Sequence, residues 1–233
     1  MLVLVETFSS DAGWSVARRV ADAGAYEVAA EATLAPVRLL EPRPLTPTMA
    51  RRWGPGITGS EAMALLVPTT TRRRGRARQG RVRARGSWEV ALLSRLPILD
   101  AKVVELTPLP RDKVRRVLLV AQIEVGGTAL RVVGTHFPHL SDGSLFRLAE
   151  LRQQLPAPSN PGVLLGDMNC FGPPLELALP GWRRAVRGRS WPAWRPVCQP
   201  DHILIDEAVQ CAGGDVVAFE GSDHRPVRAT LQL

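Results

Sequence analysis

Lysine is almost missing from this 233-residue chain: Lys102 and Lys113 are the only two, and arginine supplies the rest of the thirty basic residues. Cysteine is sparse as well. Cys170, Cys198 and Cys211 are too few and too scattered for a disulfide framework or a cysteine-based zinc site, which fits a reducing compartment. No apolar run approaches the ~20 residues of a membrane helix, and Met1 to Val5 lacks the basic flank and the length of a secretory signal. These absences predict a cytoplasmic chain with no membrane span. No Ser/Gly linker, low-complexity tract or internal repeat divides it, so residues 1–233 read as one domain, expected as a monomer.

Positive charge is present in excess. A net charge of +8 favours polyanionic partners, nucleic acid included, through counterion release and steering. An Arg- and Ala-rich proteome gives many enzymes the same balance without any nucleic-acid role. Within residues 69–87 lies a basic block, Arg72, Arg73, Arg74, Arg76, Arg78, Arg81, Arg83 and Arg85, broken by Gly75 and Gly80. It reads as a loop or hairpin tip, either a phosphate-contacting arm or a solvated surface.

Strand-like runs dominate the remainder. Leu2 to Val5 ends in Glu6; Ala62 to Val67 ends at Pro68; Trp88 to Ser94, Ile98 to Leu106, Val163 to Leu165, Asp201 to Ile205, Val216 to Phe219 and Val227 to Leu233 follow. Arg116 to Val125 and Thr128 to Thr135 flank Gly126-Gly127, a two-residue hairpin signal. Ser15 to Ala23 has helical spacing with Gly24 as its stop, Leu145 to Leu155 carries a helical apolar stripe, and Pro173 to Leu179 forms a short helical turn. Residues 33–60 are rich in proline and glycine and read as irregular loop, and Trp182 to Trp194 as a Trp/Arg-rich loop. Adjacent strands joined by hairpins, with few interspersed helices, indicate layered α/β with mixed sheets in place of a doubly wound parallel one.

The stretch that organises the chain is Pro161-Gly-Val-Leu-Leu-Gly-Asp-Met-Asn169. A short apolar strand ends at Gly166, and residues two apart in extended chain share a side, so Asp167 and Asn169 leave it pointing the same way. Alone this is equally a strand with an Asx turn or the mouth of a site. Other strand ends tip the balance: Glu6, His136, Asp201, and Asp223 with His224 each follow or open an apolar run. Such recurrence is expected if one edge of a sheet collects a site, and hard oxygen ligands without a Cys or His-x-His cluster favour Mg²⁺ or Mn²⁺ over Zn²⁺. His136-Phe-Pro-His139-Leu-Ser-Asp142 lacks the spacing of a zinc site.

Gly166-Asp167-Met168-Asn169, Thr135-His136, Asp201-His202-Ile203-Leu204 and Ser222-Asp223-His224-Arg225-Pro226-Val227 resemble, in order, the motifs of the endonuclease/exonuclease/phosphatase superfamily. Leu92-Leu93-Ser94-Arg95-Leu96-Pro97 and Val3-Leu4-Val5-Glu6 resemble two more of its strands. The resemblance implies a four-layer α/β/β/α sandwich of two mixed, mainly antiparallel sheets. It also implies Mg²⁺-dependent hydrolysis of a phosphate ester, by a phosphodiesterase or nuclease-like enzyme. On that pattern Glu6, with Asp223, holds the metal; Asp167 activates water; Asn169 donates to the transition state; His224 pairs with Asp201; His136 donates to a phosphate oxygen. Arg95, Glu89 and Trp191 are candidate substrate contacts, and Glu89 a candidate orienter of His136. The family pattern opens with an Asn-bearing strand ahead of the Glu, whereas this sequence opens at the Glu strand. The form is therefore expected to be N-terminally short, and a catalytically weak binder of polyanions is the alternative function.

Overall fold

The computed structural model describes residues 1–40, 66–68, 82–112, 114–155, 161–218 and 222–233. In chain order these form β1 (Leu2–Ser10), α1 (Val16–Gly24), β2 (Glu27–Leu40), β3 (Leu66–Pro68), β4 (Val82–Ser94), β5 (Ile98–Glu105), β6 (Val117–Val125) and β7 (Thr128–His136). Then come α2 (Ser144–Gln154), β8 (Gly162–Asp167), α3 (Gly172–Ala178), β9 (Arg183–Arg184), β10 (Asp201–Ile205), β11 (Gln210–Val216) and β12 (Val227–Gln232). Gly126 and Gly127 both have left-handed φ, 57° and 82°, as a type I′ hairpin turn requires, and they join β6 to β7.

The strands assemble into a four-stranded sheet, β1-β4-β2-β3, a six-stranded sheet, β5-β6-β7-β8-β10-β9, and a β11-β12 pair. Among the described residues only β7–β8 runs parallel, so the pairings of the first sheet are antiparallel and the second sheet is mixed. Apolar side chains on alternate positions build the layers. Val90 and Leu92 of the first sheet meet Leu119, Ala121, Ile123 and Val132 of the second to make the inner core. Ala17 and Ala21 of α1 cover Ala91 and Leu93 on the outside, while Leu148, Leu151 and Leu175 from α2 and α3 cover Leu118, Val133, Leu164 and Leu204. The result is the α/β/β/α sandwich. Each fully buried Leu or Val contributes about 1.5–3 kcal/mol relative to exposure. No helix among the described residues is long and apolar enough to cross a membrane.

Several elements differ from their sequence reading. Residues 33–40, read as loop, continue β2. Its Pro36 opposes Ser87 of β4 within the strand. Residues 82–87 of the Arg-rich stretch belong to β4, and residues 69–81 lie outside the described residues. Gly24 does not supply the left-handed stop of α1; Ala25 does, at φ 52°, while Gly24 leaves room for the Tyr26 ring, which a Cβ would meet at 2.5 Å. The strand read at Val216 to Phe219 is β11, which ends at Val216, and Phe219 lies outside the described residues, as do residues 62–65 ahead of β3.

Candidate active site

Strand register writes the centre of the site. His136 is the last residue of β7 and pairs in parallel with Asp167, the last of β8, which in turn opposes Asp201, the first of β10. Strands lie about 4.8 Å apart, so an imidazole and two carboxylates form one row across an end of the six-stranded sheet. Gly166 makes the row possible. At φ 145° its Cα stands against the Thr135 carbonyl, and a Cβ would lie 1.9 Å from that oxygen. Gly166→Ala should cost at least about 3 kcal/mol, by sterics and by a backbone region open only to glycine. Urea unfolding measures this, and a midpoint within error of the parent would refute it.

Beyond Asp167 the chain makes the Asx turn. The Asn169 N–H donates to Asp167 Oδ1 at 2.8 Å, with Asn169 left-handed at φ 46°. Its Nδ2 donates to Phe137 O (3.0 Å) and Asp167 Oδ2 (3.2 Å), so turn and site are the same object. Asp201 Oδ2 accepts from Ser190 Oγ at 2.6 Å and lies 2.8 Å from His224 Nδ1. Glu6 arrives from the other sheet: a bulge between Leu4 and Thr7 carries it at φ 58°. The bulge aims its Oε1 to 3.6 Å from His136 Nε2, which is 3.7 Å from Asp167 Oδ2. His136 Nδ1 is buried without a hydrogen-bond partner, and Nε2 faces two carboxylates, so the proton belongs on Nε2.

The electrostatics follow from crowding. Burial, and then the Asp201 carboxylate, push Asp167 up to about 7. Desolvation at the crowded mouth, and then Asp223, raise Glu6. Burial opposes charge on His224, yet its bond to Asp201 and the fields of Asp201, Asp167 and Asp223 carry it up to about 9. His136 is pushed well down, by burial first and then by Arg116, His139 and His224, and stays neutral. Glu6, Asp167, Asp201 and Asp223 thus share one imidazolium among four carboxylates. Ligand atoms of Asp167, Asp201 and His224 lie within 4.8 Å of one another. An oxygen-rich, mutually repelling donor set fits a hard divalent cation.

Two sequence candidates sit elsewhere. Glu89 accepts hydrogen bonds from Ser9, Ser87 and Thr33 and makes none with His136. Alternation along β4 turns its neighbour Trp88 to that ring instead, edge-on at 5.5 Å between centroids. Arg95 donates through Nε to Gly24 O at 2.6 Å and lies over the Tyr26 ring, tying down the end of α1. Trp191 is beside the site, 40 % exposed and 6.4 Å from the His224 ring. Its loop is bound to the site backbone: Ala193 N–H donates to Asp223 O, and Arg225 N–H to Ser190 O.

Sequence reasoning missed Arg116, Ser190 and His139. Arg116 is buried, pairs with Asp112 at 2.8 Å and donates to the His136 carbonyl at 3.2 Å. An arginine opening an apolar strand was its only local signal.

A two-sheet α/β sandwich with carboxylates, an amide and imidazoles at the strand ends defines a class, the metal-dependent phosphoesterases. The model of the Endonuclease/Exonuclease/phosphatase family matches residues 2–224, and the chain belongs to that family. Among solved structures it is similar to an endonuclease/exonuclease/phosphatase from Beutenbergia cavernae, with TM-score 0.59 and 19% identity over 99% of this chain and 62% of that one. It is also similar to a mannosyl-6-phosphatase from Bacteroides thetaiotaomicron, with TM-score 0.51 and 12% identity over 66% of this chain and 73% of that one. A third is D. rerio TDP2 complexed with single strand DNA product, with TM-score 0.50 and 19% identity over 64% and 73%. These likenesses establish the fold. Compared by sequence with curated proteins, the chain has no significant match.

Proposed function

We propose that this protein hydrolyses phosphodiesters in the presence of Mg²⁺, with Mn²⁺ as a substitute. The observation that carries the reading is the His136–Asp167–Asp201 row, with His224 closing on Asp201. Asp167, held at about 7, is a base matched to neutral pH: it orients a water and takes its proton. Asn169 would turn to the phosphoryl oxygen the N–H it gives to Phe137 O, keeping the one on Asp167 Oδ2. His224, cationic and anchored by Asp201, donates to a phosphate oxygen, and neutral His136 donates through Nε2. Glu6 and Asp223 would hold the ion; when bound, it polarises a phosphoryl oxygen and offsets developing charge.

Nucleic acid is the favoured substrate class. Exposed Trp191 lies beside His224 and offers a flat surface for a base, the net charge of +8 attracts the backbone, and D. rerio TDP2, of like fold, was solved with a single-strand DNA product. Bis-p-nitrophenyl phosphate with Mg²⁺ should release p-nitrophenol, and excess chelator or Asp167→Ala should stop it. Trp191→Ala should weaken binding of a short single-stranded DNA about 5- to 100-fold, the worth of one stacked base, and leave the small diester unaffected. Binding of DNA with no Mg²⁺-dependent turnover would favour the polyanion-binder reading instead.

A further inference from the structure

His139 has no role in the scheme above, yet it stands one hydrogen bond from its centre. The Phe137 N–H donates to Asp167 O at 2.9 Å, pinning the chain beyond β7 against β8. Pro138 follows, and the Asp142 N–H closes a turn on His139 O at 2.8 Å. This backbone sets the imidazole with Nδ1 3.1 Å from Asn169 Oδ1.

The far end of the carboxamide decides which atom carries the proton. Asn169 Nδ2 faces the Phe137 carbonyl and Asp167 Oδ2, and the carbonyl can only accept. Reversing the amide would set oxygen against oxygen. Oδ1 therefore faces His139, and because an amide oxygen only accepts, His139 Nδ1 must be the donor. Among the described residues the His139 bond is the one the carboxamide makes through Oδ1, and it fixes the end opposite to the two Nδ2 bonds.

We propose that His139 is a positioning residue for phosphoester hydrolysis: its Nδ1–H holds Asn169 Oδ1, so that the same carboxamide keeps an Nδ2–H on Asp167 Oδ2 and fixes the general base. This rests on the reading of Asp167 as the base that activates water. Misplacement of a catalytic group costs about 10- to 100-fold in rate. His139 is exposed, so its replacement leaves the core untouched.

The test uses His139→Ala, His139→Asn, Asn169→Ala and the His139→Ala/Asn169→Ala double variant, on bis-p-nitrophenyl phosphate with Mg²⁺. His139→Ala should lower kcat about 10- to 100-fold with KM nearly unchanged. His139→Asn, whose amide N–H stands near the lost Nδ1–H, should recover most of it. In the Asn169→Ala background His139→Ala should cost nothing more. A readout without turnover accompanies these: in the metal-free protein the Asn169 side-chain amide resonances should move toward free-amide positions in His139→Ala and return in His139→Asn. Additive losses, failure of His139→Asn to rescue, or unmoved amide resonances would each overturn the positioning role while leaving the hydrolase reading intact. A parent chain without turnover, whose amide resonances still respond, would overturn the catalytic role and the hydrolase reading together, and keep only the hydrogen bond.

Discussion

Freed of metal by a chelator at pH 8, Asp167→Asn should melt at a higher temperature than the parent, and with Mg²⁺ restored it should hydrolyse essentially nothing. Asp167 is 4% exposed, and burial and the Asp201 charge hold it near 7. An acid whose folded value lies above its unfolded one binds its proton more tightly when folded. The native state is thus penalised as pH rises from about 4, and the whole penalty is present above about 7. Asparagine removes that charge. Its amide end loses the bond from Asn169 Nδ2, which costs about 1 kcal/mol, against a relief on the order of 2–4 kcal/mol. The net gain, of a few degrees for a chain of this size, should vanish near pH 4, where the parent carboxyl is protonated. Removing the general base should meanwhile cost about 10²–10⁴ in kcat. A variant that melts below the parent at pH 8, or keeps a tenth of its activity, would overturn both the assignment and the electrostatic account.

Asp201→Asn should act through His224. In the parent that imidazole is raised to about 9 despite burial, chiefly by its bond to Asp201. With the carboxylate gone, burial is opposed only by Asp167 and Asp223, and the imidazole should titrate more than a unit lower by proton NMR. The activity limb that falls at high pH should move down by the same amount, with kcat/KM at pH 8 lower by about 10²-fold or more. A histidine whose folded value is raised contributes stability that is complete below about 6.5 and lost as pH rises through about 9. The melting gap between parent and variant should therefore be widest in mild acid, about 2–3 kcal/mol, and close above pH 10. A His224 that still titrates near 9 in the variant would refute this.

Much of the site was legible because strand-end chemistry is local. Gly166-Asp167-Met168-Asn169 carries its own strand, turn and acid, and the register of β7, β8 and β10 brings three such ends together. The open choice between an Asx turn and a site dissolved, since the Asn169 N–H that makes the turn also orients the acid. What stayed illegible depends on partners distant in sequence. Residues 33–40 are strand because β4 pairs with them, against a proline that argued for loop. Glu89 turned away from His136 because side chains alternate along β4, a phase that only cross-strand packing sets. Glu6 was read as the end of its strand, whereas a bulge carries the chain through it to Ser10. His139 and Arg116 carry meaning only once the loop after β7 folds against β8 and β6.

The bulge at Glu6 has a kinetic consequence. Glu6 feels the charges of Asp223 and His224, so residue 6 and residue 224 of the sequence meet at one point. Contacts of such sequence separation carry the largest loop-closure cost and form late. The six-stranded sheet can pair its own β7, β8 and β10 before the site exists. Competence to hold an ion then marks the final docking of one sheet on the other, and binding of Mn²⁺ during refolding would report that last step separately from the earlier gain of strand structure.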